Sequence, residues 1–466
     1  MSTVRDLAAS ATLDFTLPQE LTVIALCALT ALIAHMALAV FNDGVRPFML
    51  DFIHGRSTRP ATTAVSFGLS AGFIFGLGAP MALSSGVLNP WLLFLPTDVL
   101  GLLSPKRWLA PVLGGAWGAV VVFALGGAND LAHDLPVDFL TAMQQMSTPI
   151  LFLFTLFPVL AITKQFGRAW GAAAGAVELA LVVMTMKLWP NMFAGALAMA
   201  VGVLTLIGLA VARDLGQRRA DRAAAPAGAG AVDGGGSGSG GGDGDGDGEP
   251  AAEDPMASLF SASATRLRRY LPLFMLLGGG VCLLAQMHIF GGGEATSFLI
   301  AKGHISEAAQ VDFYRVFGFI PLIATTALAS GAYGIVGFTL VYPIGYLLPN
   351  PLLAFVVGAV VFAAEVLALS WIGRILGRLP SVRDSSEHLR NAITDTLQLA
   401  ILFGSLMAAN AMGAGLGILV VGGLYLLNEA MGRPVVRMAA APAAVIVGGV
   451  LLNLLYWLDL FTPVKG

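Results

Sequence analysis

The sequence predicts an all-α, polytopic membrane protein with two inverted-topology halves and broken or re-entrant helices. Three observations predict it. Of 466 residues, 57% are hydrophobic and 11% charged, with a mean hydropathy of +0.81. A soluble domain carries roughly a quarter charged residues. Apolar runs of bilayer-spanning length recur along the chain, and Lys and Arg collect in alternate connections between them.

Taken in order, the poorly basic N-terminus argues against a cleaved signal peptide, so the first apolar run, 21–41, is expected as the first span. A polar segment, 42–60, carries Arg46, Arg56 and Arg59. A glycine-rich span at 62–83 leads into 86–103, GVLNPWLLFLPTDVLGLL, apolar but interrupted by Pro90 and Pro96. Here Thr97 and Asp98 are expected to start a half-helix as an N-cap pair. Further spans are expected at 108–127, up to Ile162 across Pro149, at 169–186 and at 192–212. The domain boundaries follow: an N-terminal half at 1–212, a Gly/Asp-rich cytoplasmic linker at 213–269 and a C-terminal half at 270–466. Residues 223–254 have almost nothing to bury. DGDGDG at 243–248 imitates a calcium loop, but Asp254 stands where Glu is needed, so a solvated spacer is expected. The second half repeats the layout, with 313–348 broken by Pro321, Gly331, Gly334 and Pro343, a span at 351–371, and spans at 391–412, 415–430 and 435–460.

Placing Arg-rich loops inside puts the linker, 42–60, 104–107, 164–168, 372–390 and 431–437 in the cytoplasm, and the acid-only loop 128–138 outside. Counting each broken element as a crossing gives seven crossings on either side of the linker, about 12–14 segments in all. An odd number per half means inverted halves, as in many secondary transporters. APMALSSG (79–86) and ATTALASG (324–331) share A-x-x-A-L-x-S-G, and NPWLLF (89–94) resembles NPLLAF (350–355). Ala, Leu and Gly are common throughout, so the charge-derived parity carries more of this repeat than the motif.

Interrupted segments at corresponding positions point to a mid-membrane site. The first, 79–98, offers Ser84, Ser85, Asn89, Thr97 and Asp98; the second, 321–334, offers Thr325, Thr326 and Ser330, with Arg315 at its entrance. These are the expected substrate-binding residues. Half-helix N-termini suit an anionic group, and Arg315 could clamp a carboxylate or phosphate. Each has a structural alternative: helix capping for Thr97 and Asp98, headgroup contact for Arg315, back-bonding to helix carbonyls for Thr325 and Thr326. Asp98 and Glu365, carboxylates inside apolar segments, are the expected coupling-ion residues. Glu178 reads similarly but lies nearer Lys187, which favours an ion pair. His35 is expected to pack through a hydrogen bond, and NEAMGRP (428–434) to cap a turn. Cys27 and Cys282 lie in apolar runs without disulfide or metal spacing. Walker, G-x-S-x-G, H-E-x-x-H and dinucleotide motifs are absent from the sequence, so no ATP-driven step, catalytic residue, metal or cofactor is expected.

Several stretches resemble the YhfT family of bacterial inner-membrane proteins: HMALAVFNDGVRP (35–47), LNPWLLFLPTDVLG (88–101), GFIPLIATTALASGAYGIVGFTLVY (318–342), GRLPSVRDSSEHLRNA (377–392) and LNEAMGRPVVRMAAAP (427–442). They run in order over nearly the whole chain outside the linker. The resemblance implies a multi-pass inner-membrane transporter serving a small-molecule pathway, for an amino-acid-like or phosphorylated compound. It assigns no binding residue.

The expectation is therefore a secondary transporter, not an enzyme, moving a small polar, anionic solute by alternating access with proton or sodium coupling. Its partners would be the solute, the lipid bilayer and a second copy in a homodimer, with no nucleic acid. The alternatives are a phosphotransferase-system-like permease component, an enzyme on a lipid-linked substrate using Asp43, His54, Asp384 and His388, and a membrane scaffold.

Overall fold

The structure, a computed structural model, describes residues 13–42, 45, 55–56, 58–189, 194–224 and 255–463. Among them every regular element is helical, and the only extended pairing is two isolated β-bridges. The first half comprises α1 (Leu17–His35), α2 (Arg59–Phe73), a π-helical turn (Ile74–Gly78), α3 (Ala79–Ser85), α4 (Pro90–Leu103), α5 (Leu109–His133), α6 (Phe139–Met143), α7 (Ser147–Phe154), α8 (Phe157–Phe166), α9 (Arg168–Leu188) and α10 (Ala194–Ala224). The second comprises α11 (Pro255–Arg269), α12 (Leu271–Gln286), α13 (Glu294–Ala301), α14 (Ile305–Ser330), a 3₁₀ turn (Ile335–Leu340), α15 (Val341–Leu347), α16 (Pro351–Arg378), α17 (Pro380–Ala430) and α18 (Arg437–Trp457).

Seven of these helices are long and apolar enough to cross a membrane, eight if α11 and α12, bent by 70°, count as one span. The larger number expected from the sequence is reached only by counting interrupted elements. α17 is one: Gly413 and Ala414 leave helical geometry and divide it into two arms. The linker expected over 213–269 is helical at both ends, because α10 runs on to Ala224 and α11 begins at Pro255; the DGDGDG segment lies outside the described residues.

The two halves pack alike. α1 lies on α5 and α4, as α12 lies on α16 and α15. Close approach rests on glycine: a Cβ on Gly114 would collide with the Cys27 carbonyl, and one on Gly358 with the Cys282 side chain. α9 lies on α10, and the second arm of α17 on α18. A Cβ on Gly171 would collide with Thr163, and one on Gly417 with the Ala409 carbonyl. The halves meet along α1 and α12, and where α7 and α8 pack on α17.

At one end of the molecule polar groups tie the halves together. The Asp214 carboxylate caps the start of α17 by accepting from the Ser381 N–H at 3.1 Å, Lys164 pairs with Asp395 at 2.6 Å, and the Ser385 hydroxyl donates to Gln165 at 2.7 Å. Elsewhere Asn453 of α18 holds both backbone groups of Val137, accepting at 2.8 Å and donating at 3.0 Å.

Candidate functional site

Two crossovers between the halves form the centre. After α1 the chain turns at Ala37 (φ 53°), and Ala39 pairs in parallel with Tyr333 of the second half. After α12 it turns at His288 (φ 56°), and Phe290 pairs in parallel with Leu88 of the first half. The bonds match one for one. Tyr333 N–H donates to Leu38 O and Val40 N–H to Tyr333 O, both at 2.8 Å; Leu88 N–H donates to Ile289 O at 2.8 Å and Gly291 N–H to Leu88 O at 2.9 Å. Each half thus lends a short extended segment to the other's interrupted hairpin.

The hairpins bend because of the A-x-x-A-L-x-S-G repeat. Its final glycines, Gly86 and Gly331, take the left-handed conformation at φ 69° and φ 63°, and their N–H groups return to Ala82 O and Ala327 O, both at 2.8 Å. A residue with a Cβ is strained there. The second proposed pair does not superpose in this way: NPWLLF opens α4, inside the hairpin, whereas NPLLAF opens α16, beyond it.

The first hairpin differs from expectation in where its helix begins. α4 starts at Pro90 and runs unbroken through Pro96, so Thr97 and Asp98 are interior residues, not caps. Asn89 is the cap: its Oδ1 accepts from Leu92 N–H at 3.0 Å while its amide donates to Gly78 O, in the π-helical turn, at 2.7 Å. Proline removes a helical donor, and the Leu92 carbonyl that Pro96 cannot serve accepts from the Trp117 indole N–H at 3.0 Å. That replacement explains why the helix survives.

Asp98 reaches the crossover. It is 1% exposed, and its Oδ2 accepts from the Phe41 and Asn42 backbone N–H groups at 2.7 and 3.0 Å. The Asn42 amide donates to Ser70 of α2 at 3.0 Å. Glu365 reaches the same crossover from α16: the Tyr333 hydroxyl donates to it. Arg266 of α11 closes the crossover from outside by donating to Met36 O at 3.2 Å and Ala37 O at 3.0 Å, with Gly331 O at 3.5 Å. A cation at two helix C-termini is electrostatically favoured.

The second crossover is held differently. Gly292 N–H donates to the Tyr346 hydroxyl at 2.8 Å, which donates to Asp312 at 2.9 Å; Asp312, fully buried, pairs with Arg315 at 3.1 Å. Arg315, expected as an anion clamp, thus already faces a carboxylate.

The other expected residues serve the local backbone. Ser84 and Ser85 donate to Met81 O at 3.2 and 2.6 Å, and Thr97 to Phe94 O at 2.7 Å. The side chains of Thr325, Thr326 and Ser330 lie outside the described residues, as do Asp43 and His54. Asp384 and His388 sit one turn apart on α17. His35 packs as expected, 3.0 Å from Gly101 O and 2.9 Å from Arg59. NEAMGRP is a capped turn in which Glu429 pairs with Arg433 and Arg437 at 2.9 and 2.8 Å. Glu178 has no partner at all among the described residues.

The space between the crossovers is filled by aromatic rings. Phe94 lies 5.2 Å from both Phe41 and Phe338 and 5.6 Å from Phe290, and Phe338 lies 5.6 Å from Phe362. Two cavities lie elsewhere: one of about 380 Å³ beside the α17 break, near Gln145 and Asn410, and one of about 420 Å³ between α14 and α15, near Phe313 and Leu340. Neither is lined by a residue nominated from the sequence. No group of three His, Cys, Asp or Glu suited to a metal ion occurs among the described residues. Sequence reasoning missed Tyr333, Tyr346, Asp312 and Arg266. Only the i,i+3 spacing of Asp312 and Arg315 carried a signal.

A family model, YhfT, described as a protein of unknown function, matches residues 19–461. The chain is 38% identical over 457 residues to the uncharacterized protein YhfT of Escherichia coli (strain K12), covering 96% of this chain and 99% of the relative. No solved structure matches.

Proposed function

The chain belongs to the YhfT family, and we propose that it is a secondary transporter of a small polar, anionic solute. The observation that carries this reading is the reciprocal pair of crossovers. Broken backbone and a buried carboxylate inside a membrane are costly, and they persist where they serve a solute or ion path. Here the extended backbone is shared between the halves: the segment that ends in Phe41 and Asn42, the donors to Asp98, pairs through Leu38 and Val40 with Tyr333 of the second half, so displacement of one half against the other pulls on the segment that seats Asp98. The aromatic packing describes a closed centre; passage requires Phe41, Phe94, Phe290 and Phe338 to part. Asp98 and Glu365, both fastened to the first crossover, are the coupling-ion candidates, and no catalytic step is invoked.

Inverted halves support alternating access, and the charge pattern favours them. Lys106 and Arg107 follow α4, while the matching connection after α15, 347–351, is uncharged. Lys164 and Arg168 flank the turn before α9, while the matching α17 break, 410–417, is uncharged. The acid-only loop 128–138 matches the Arg-rich 372–390. Under the positive-inside rule each pair lies on opposite faces, in a bacterial inner membrane with the linker cytoplasmic.

The test is thermal stabilisation of purified protein by a panel of small carboxylates and phosphate esters, then uptake of any hit into proteoliposomes. We expect at least one anion to raise the melting temperature and to accumulate, and Asp98→Asn to abolish uptake or flatten its pH dependence while the fold holds. Uptake by Asp98→Asn with an unchanged pH profile would remove Asp98 from the mechanism; no hit across the panel would reject the anionic solute. Single cysteines at Lys106 and Asn350 should react with an impermeant maleimide from opposite sides of the membrane. Labelling from one side would reject inversion.

A further inference from the structure

Glu178 belongs to neither crossover. It lies at the centre of α9, ten positions from Arg168 and ten from Leu188, so a perpendicular helix places it at mid-bilayer, about 15 Å from either end. Its side chain does not turn toward lipid. The residue is 2% exposed, although its neighbours Val177 and Leu179 are 50% and 66% exposed.

The carboxyl enters a slot made by two residues that leave room for it. A Cβ on Gly202 of α10 would collide with Glu178 Oε1, and the same Cβ would lie 2.7 Å from the ring of Pro158 on α8. Gly202 supplies the space and Pro158 the wall. Neither carboxyl oxygen has a hydrogen-bond partner among the described residues, and about two turns further along the buried Thr185 hydroxyl has none either.

Among the described residues Glu178 has no ion-pair partner on the helices that enclose it. Of the charged groups on the three elements concerned, Lys164 lies in the last turn of α8 and pairs with Asp395, Arg168 and Lys187 lie at the two ends of α9, and those of α10 begin only at Arg213 and Asp214 and continue toward its C-terminus. Arg213 is eleven residues beyond Gly202, about 16 Å along the helix. Lys187, the partner the sequence suggested, is about 13 Å along α9. An ionised carboxylate here would stand in apolar surroundings without a hydrogen bond or countercharge, a cost the group avoids by carrying a proton.

We propose that Glu178 is a proton-binding site at mid-membrane, occupied as the neutral acid when α8, α9 and α10 are packed together and emptied when water reaches the slot. The binding claim stands without the transport reading. That this proton is the coupling ion rests on it, and would place coupling in the α8–α10 layer, apart from Asp98.

The test is infrared difference spectroscopy of the full-length protein in lipid vesicles, wild type against Glu178→Gln, across pH. The neutral-carboxyl C=O band should be present near neutral pH in the wild type, absent from the variant, and convert to carboxylate bands as pH rises. Identical spectra from the two proteins overturn the proposal, and so does a band that no pH removes, since a site must both load and empty. Where Glu178→Gln yields too little folded protein, labelling of the wild type with dicyclohexylcarbodiimide, which reacts with protonated carboxyls, replaces it. A pH-dependent adduct at Glu178 by mass spectrometry supports the site, and an adduct map without Glu178 overturns it. Neither readout requires uptake, so failure of the transport reading leaves a distinct signature.

Discussion

The two crossovers share a backbone and differ in what fastens it. In the first, Asp98 accepts directly from the Phe41 and Asn42 N–H groups, and Arg266 caps the helix ends around it. In the second, a phenol stands between backbone and carboxylate: Gly292 N–H reaches Tyr346, and Tyr346 reaches Asp312, which has Arg315 beside it. The difference teaches that the extended exchange between halves is the repeated device and the polar chemistry is not. One carboxylate faces backbone donors directly, and the other stands one step removed from the backbone with an arginine beside it.

The comparison can be broken most severely at Asp98. Asp98→Ala leaves two buried N–H groups without their acceptor, and each charge-assisted bond is worth about 1.5–3 kcal/mol. A loss of roughly 3–6 kcal/mol is expected in denaturant unfolding in detergent, whereas Asp98→Asn, which keeps an acceptor, should lose far less. Equal losses for the two variants would mean that charge, not acceptance, holds the crossover.

A matched pair sharpens the repeat. Gly86→Ala and Gly331→Ala each force a Cβ into left-handed geometry, at a cost of about 1–2 kcal/mol. The two should destabilise alike if the hairpins are equivalent, and together they should add, being in separate crossovers. A large cost at one position only would show that the hairpins carry unequal loads.

The smallest effect is expected in the second crossover. Tyr346→Phe removes the relay hydroxyl but leaves Asp312 with Arg315, so about 1 kcal/mol should be lost. A loss matching that of Asp98→Ala would erase the asymmetry between the crossovers.

Much of the architecture was legible because it depends on composition and spacing. The expected span at 169–186 became α9, that at 351–371 became α16, and the pair at 391–412 and 415–430 became the two arms of α17. The A-x-x-A-L-x-S-G repeat located both bends, since only glycine takes the closing conformation at no steric cost. The reading of Pro96 failed for a local reason. Proline removes a donor in every helix, but whether the helix breaks depends on what else serves the freed carbonyl, and Trp117 is more than twenty residues away in sequence.

By itself, then, the sequence determined that the chain lives in a membrane, that it is divided in two by a polar connection, and that each part contains a bent hairpin. These follow from hydropathy, charge and glycine, which act over a few neighbouring residues. Packing alone settles that each hairpin is completed by the opposite half, that Asp98 binds backbone while Ser84, Ser85 and Thr97 serve their own helices, and that Glu178 is enclosed instead of paired with Lys187. Those outcomes depend on which groups come within 3 Å of one another, and residues hundreds of positions apart meet only when the helices have packed.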